Sequence, residues 1–162
     1  MSNRPDITKK LSLSLEKHLN PKNDTRIYMA KECTFDYATG VSKRVDYCQF
    51  KPVNTSVSGI EKGDFYCYEI KSSVEDFHSP NGHNFLGDYN YYVMPEDVYI
   101  PDGINKGGWY NLKAVKKARK INRTRPLTEI LFMMFRSSNR ELYKLKEGKV
   151  NKAWVTVKRN VY

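Results

Sequence analysis

Cysteine is scarce in this chain, and nothing pairs it. Only Cys33, Cys48 and Cys67 occur, odd in number and far apart. No C-x-x-C unit and no Cys/His group at zinc spacing is present, which excludes a zinc finger. Long apolar runs are missing too, so no segment reaches membrane-spanning length. The first ten residues, MSNRPDITKK, hold no apolar signal core. Together these absences predict a cytoplasmic protein whose thiols stay reduced and buried in strand-like segments. The three histidines, His18, His78 and His83, are scattered, and none pairs with a nucleophile or a metal set. No internal repeat and no disordered tract is visible.

What the chain has in excess is positive charge. In 162 residues, 28 Lys and Arg stand against 18 Asp and Glu, a formal net charge of +10. That length predicts one domain with a sizeable core. The charge predicts a polyanionic partner, nucleic acid first and an anionic membrane surface second. Seven bases fall in one run without an acid: Lys113, Lys116, Lys117, Arg119, Lys120, Arg123 and Arg125. A solvated helix normally mixes signs to gain i,i+4 pairs. A run of one sign is expected to meet DNA phosphates, which give affinity and salt dependence without sequence choice.

Periodicity gives the organisation. Ile7, Leu11, Leu15 and Leu19 recur every four residues, so a helix is expected from Ile7 to Leu19, capped by Asp6 and ended at Asn20-Pro21. Arg26 to Phe35 and Arg44 to Val53 read as strands joined by a hairpin at Thr39-Gly40. Asn54 to Gly63 reads as a loop, and Asp64 to Lys71 as a third strand. Ser73-Val-Glu-Asp76 matches a capping box, so a short helix should begin there. Tyr89 to Met94 reads as a fourth strand stopped by Pro95. Trp109 to Ile121 is either a basic helix or two short strands. Pro126 to about Leu145 reads as an apolar-faced helix, and Ala153 to Val157 as an edge strand. The expected class is α/β, a mixed central sheet flanked by helices in the order α-β-β-β-α-β. A core over about 5–112 would be followed by a basic, helical extension over 113–162.

Three residues stand out on that frame. Asp46 lies in RVDYCQF, and Glu69 and Lys71 lie in GDFYCYEIKSS. Successive strand side chains alternate, so Glu69 and Lys71 project to one side and Ile70 to the other. A neighbouring Asp46 strand would bring two carboxylates and an ammonium together. Two such carboxylates repel unless a cation lies between them, and a hard divalent ion suits oxygen donors. The plain alternative is an edge-strand ion pair between Glu69 and Lys71. A second copy of the pattern, Glu147-Gly-Lys149, reads as a solvated polar turn.

The run Asp46…Glu69-Ile-Lys71 in strand-strand-helix order resembles the PD-(D/E)XK nuclease superfamily. GDFYCYEIKSSVEDF followed by GDYNYYVMPEDVY is most similar to its MmcB-type DNA-repair branch. The likeness covers roughly Lys31 to Asn111 and departs from it in the long loop from Lys51 to Gly63. It implies a restriction-endonuclease-like core and metal-dependent hydrolysis of DNA phosphodiesters. By position, Asp46 and Glu69 would hold Mg²⁺ or Mn²⁺ with the Ile70 carbonyl, and Lys71 would orient or activate water. A further acid would come from Glu16 or Glu32, with Glu32 preferred because its strand neighbours that of Asp46. Ser72 and Ser73 would contact phosphate or cap the next helix. Tyr89, Tyr91 and Tyr92 would stack on bases or fill the faces of the sheet. The rival readings are a catalytically idle DNA-binding protein, a small restriction-type enzyme acting as a homodimer, and an RNA-processing protein.

Overall fold

The computed structural model describes residues 4–37, 39–95 and 118–153. Their elements run α1 (Arg4–Leu19), β1 (Tyr28–Phe35), β2 (Lys43–Lys51), α2 (Val57–Glu61), β3 (Asp64–Ile70), α3 (Val74–His78), β4 (Tyr89–Val93) and α4 (Leu127–Ala153). The expected order holds, with one addition. The loop after β2 contains a single helical turn, α2, whose Gly59 amide donates to the Ser56 hydroxyl at 3.1 Å. Gly59 is required there, because a Cβ would fall 1.9 Å from Asn54 Oδ1.

Helix α1 starts earlier than the Asp6 cap implies. Pro5 lies in its first turn, where a fixed φ and a missing amide cost nothing. Asp6 instead sits inside that turn, where its charge complements the helix dipole. Helix α4 also runs past the expected end. Glu147 and Lys149 therefore lie in a helix and not in a turn. The part of Trp109–Ile121 up to position 117, and the expected strand beyond Ala153, lie outside the described residues.

The four strands form one mixed sheet in the order β1-β2-β3-β4. The first two junctions are antiparallel and the third is parallel. Antiparallel neighbours need only a tight connection, and Gly40 supplies a left-handed φ of 73° between β1 and β2. The parallel junction needs a crossover, which contains α3 and the loop over 79–88.

Alternation along β3 divides the core in two. Tyr68 and Ile70, with Tyr47 and Val93, pack against Leu11 and Leu15 of α1. Phe65 and Cys67, with Phe35, Cys48 and Phe50, pack against Ile130 and Met134 of α4. Full burial of side chains of this size contributes about 1.5–3 kcal/mol each. All three cysteines are free and buried, and the sulfurs of Cys48 and Cys67 lie 3.9 Å apart. The alternation of β1 slips at Glu32, whose φ is +49°. Ala30 is buried before the slip, and Cys33 and Phe35 after it. Helix α4 fastens this point: Ser137 donates to the Lys31 carbonyl, and Arg140 to the Glu32 carbonyl at 3.1 Å. Among the described residues, no helix is long and apolar enough to cross a membrane.

Candidate active site

The β2–β3 ladder ends in the pair Tyr47↔Tyr68. One step beyond it, Asp46 and Glu69 stand across from each other. Asp46 Oδ2 accepts a 2.8 Å hydrogen bond from the Ile70 amide. A side chain thus does what a ladder carbonyl would do, and Asp46 is fixed between the strands. Glu69 lies on the face of β3 that carries Phe65 and Cys67, and it is 8% exposed. Lys71 follows at the strand's end and is 2% exposed.

Burial and the neighbouring charges act on both carboxyls. Burial, and after it the charge of Asp46, pushes the Glu69 carboxyl from 4.5 up to about 7. A hydrogen bond from Asn84, the charge of Lys71 and the backbone of Asp46 act the other way without prevailing. Burial also raises the Asp46 carboxyl, against the Ile70 amide and the charges of Arg44 and Lys71. Two adjacent carboxyls, each penalised by burial as an anion, form an arrangement that a cation relieves. The donors are oxygens on neighbouring strands, which fits a Mg²⁺-sized ion. Among the described residues, no group of three or more His, Cys, Asp or Glu side chains gathers at one point. An ion held by these two carboxylates would keep several waters.

Lys71 is placed with equal care. Its Nζ donates to the carbonyls of Asp76 and Asn81. The loop over 79–84 covers it, and Gly82 makes that approach feasible. With φ at +73°, Gly82 takes a conformation that L residues avoid. A Cβ there would lie 3.0 Å from Lys71 Nζ and 3.2 Å from Glu69 Oε2. Ammonium and carboxyl therefore flank the same stretch of backbone.

The two further acids are not part of this group. Glu16 accepts from the Tyr47 hydroxyl at 2.7 Å and pairs with Lys31, on the α1 side of the sheet. Glu32 is half exposed and faces Arg44 at 3.9 Å and Arg140 at 3.7 Å. Ser72 and Ser73 serve the local fold. Ser72 donates through both its amide and its hydroxyl to Asp76 Oδ2, and the Ser73 hydroxyl caps α3.

Periodicity did not reveal what borders the site on its other side. Tyr92 is in register with Glu69 on β4. His83 joins Tyr92 to the loop, its Nδ1 meeting the Tyr92 hydroxyl and its Nε2 the Ser79 carbonyl. Asn84 spans Glu69 Oε1 at 3.4 Å and the Arg44 carbonyl at 2.8 Å. The only signal in the sequence is the turn-forming run Ser-Pro-Asn-Gly-His-Asn, which predicts a loop without saying what it approaches.

Lys113, Lys116 and Lys117 of the basic run lie outside the described residues. Of the rest, Arg119 is exposed. Lys120 pairs with Asp64, and Arg123 with Asp88 at 3.5 Å. Arg125 pairs with Asp36 and Glu129. The run contains no acid, yet the fold brings Asp36, Asp64 and Asp88 to it from distant positions. Lys120 and Arg123 lie at Gly63 and Asp64, where β3 begins. Seven residues of strand separate that point from Lys71, roughly 20 Å. An open cavity of about 580 Å³ lies there, lined in part by Lys62, Asp88, Lys120 and Arg123.

No protein-family model matches the chain, and no match was found among the curated proteins or the solved structures compared with it.

Proposed function

We propose that the chain is a divalent-metal-dependent nuclease that hydrolyses DNA phosphodiester bonds, with a restriction-endonuclease-like core of the MmcB-type DNA-repair kind. One observation carries this reading. Asp46 and Glu69, from adjacent strands, meet with both carboxyls raised by burial, and Lys71 borders them. The net charge of +10 supports a polyanionic substrate.

Asp46 and Glu69 would hold Mg²⁺ or Mn²⁺, with the Ile70 carbonyl as a further oxygen. When bound, the ion supplies a site for the phosphate oxygen and an ordered water of lowered pKa. Asp46, tied through Oδ2 to the Ile70 amide, would offer its other oxygen to the ion. Glu69 must give up its proton to bind, which happens more readily above pH 7. Lys71, once its ammonium turns from the Asp76 and Asn81 carbonyls, would hold the attacking water or steady charge on a non-bridging oxygen.

The burial of Lys71 favours one second reading, a catalytically idle DNA-binding protein on the same scaffold. Supercoiled, single-stranded and branched DNA, each incubated with Mg²⁺, Mn²⁺ or EDTA, separates the two. Cleavage that needs metal and disappears in Asp46→Ala supports the nuclease. Binding with no cleavage on any substrate in any metal leaves the idle scaffold. Discrete bands from plasmid would indicate a restriction-type enzyme.

A further inference from the structure

Phe85 is an expensive residue in its position. Its φ is +45°, a region that bulky side chains avoid. Such a conformation persists only where the surroundings hold it. Burial does not offset it, because Phe85 is 46% exposed. The ring nevertheless stands in a defined place. It meets Tyr92 edge-on at 5.8 Å, and His83 at 6.5 Å. Phe77 supports the group from behind, 5.1 Å from Tyr92 and 6.1 Å from His83. Tyr92 is the register partner of Glu69, and Asn84, next to Phe85, donates to Glu69. The exposed ring thus lies beside the carboxylates. Arg44, whose carbonyl holds Asn84, has an exposed side chain on the same margin.

We propose that Phe85 is a stacking platform for an unpaired nucleobase, so that the site takes single-stranded DNA in preference to intact duplex. Every base has a π-face that an aromatic ring can cover. In a duplex those faces already lie against their neighbours, and a ring can reach one only after unstacking it. A strained, exposed ring set against two aromatic neighbours, His83 and Tyr92, suits a base that arrives unstacked. Arg44 would meet the adjoining phosphate. The proposal rests on the reading of Asp46 and Glu69 as the phosphodiester site.

The test is binding, measured by fluorescence anisotropy on the full chain with Ca²⁺ in place of Mg²⁺. The probes are a labelled single strand of about 12 nucleotides and the matching duplex. Phe85→Asn removes the ring and places a residue that tolerates positive φ, so its thermal midpoint should equal or exceed that of the wild type. We expect about tenfold or greater weakening on the single strand, little change on the duplex, and near wild-type affinity for Phe85→Trp. Unchanged single-strand affinity in Phe85→Asn, or an equal loss on both probes, would overturn the proposal. The nuclease reading is judged separately: loss of cleavage in Asp46→Ala does not depend on Phe85, and the binding result stands even if nothing is cleaved.

Discussion

The two ends of β3 treat their carboxylates in opposite ways. At the beginning, Asp64 pairs with Lys120, and Asp88 pairs with Arg123 while accepting the Phe65 amide at 2.8 Å. Each anion there has a cation from the chain. At the end, Asp46 accepts from the Ile70 amide and Glu69 from Asn84, no cation among the described residues forms an ion pair with either, and the Lys71 ammonium is turned to two carbonyls. The chain carries 28 cationic side chains, so it has cations enough. Among the described residues it pairs them with acids at one end, and at the other leaves a Glu69 carboxyl raised to about 7. On the proposed reading, the first pair serves the fold and the second is left for an external ion.

The comparison breaks most sharply if a lysine at either end matters equally for cleavage. Lys71→Met keeps much of the stem and removes the charge. Its expected effect is a fall in metal-dependent cleavage on the order of 10²–10³, the usual loss when one charge-stabilising donor is removed. Initial rates on single-stranded and supercoiled DNA, with circular dichroism to confirm folding, measure it. Lys120→Met should alter the rate by less than about threefold, since its ammonium is committed to Asp64 roughly 20 Å away.

Metal binding should register as stability at one end only. A ligand at 100 times its Kd adds about 2.7 kcal/mol. For a chain of this size that corresponds to a rise in Tm of about 5–10 °C. Saturating Mg²⁺ should produce such a rise in the wild type and none in Asp46→Asn. Asp64→Asn should respond like the wild type. A Tm shift that survives Asp46→Asn would place the ion elsewhere.

Without metal, pH sharpens the contrast further. The Glu69 carboxyl is raised in the folded state from 4.5 to about 7. Between those values the folded chain holds a proton that the unfolded chain has released. Stability therefore falls as pH rises through this window and levels off above it. A shift of that size corresponds to at most about 3 kcal/mol. Glu69→Gln, which cannot ionise, should be more stable than the wild type by about 1–3 kcal/mol at pH 8, with the gain gone below pH 4.5. Urea titrations in EDTA at several pH values test the sign. A destabilised Glu69→Gln at pH 8 would show that the carboxylate is satisfied by the chain itself.

The same contrast explains what was legible in the sequence. The Leu11–Leu15 stripe, the alternation of β3 and the Ser73 cap are local patterns, and each settled into the element it predicted. Asp46 and Glu69 could be matched because a one-strand offset is also nearly local. The Asp partners of Lys120, Arg123 and Arg125 are not. Asp64 lies 56 residues from Lys120 in the chain and Asp36 lies 89 from Arg125, separations at which no pattern in the sequence speaks. The covering of Lys71 by Gly82 likewise depends on a crossover loop folding back. The slip at Glu32 reverses the alternation of β1, which pattern alone would have continued.

The smallest expected effect concerns the pairing that made the basic run look unanswered. The Lys120–Asp64 pair is a surface contact, with the lysine side chain 54% exposed. Exposed pairs contribute little, because water and salt already screen both charges. Lys120→Ala should therefore move Tm by no more than about 3 °C. It should also leave the salt slope of DNA binding almost unchanged, because an ammonium already neutralised by Asp64 has little to offer a phosphate. Affinity measured from 50 to 200 mM NaCl gives that slope. A slope reduced by about one in Lys120→Ala would mean that DNA displaces Asp64, and the start of β3 would then belong to the nucleic-acid interface.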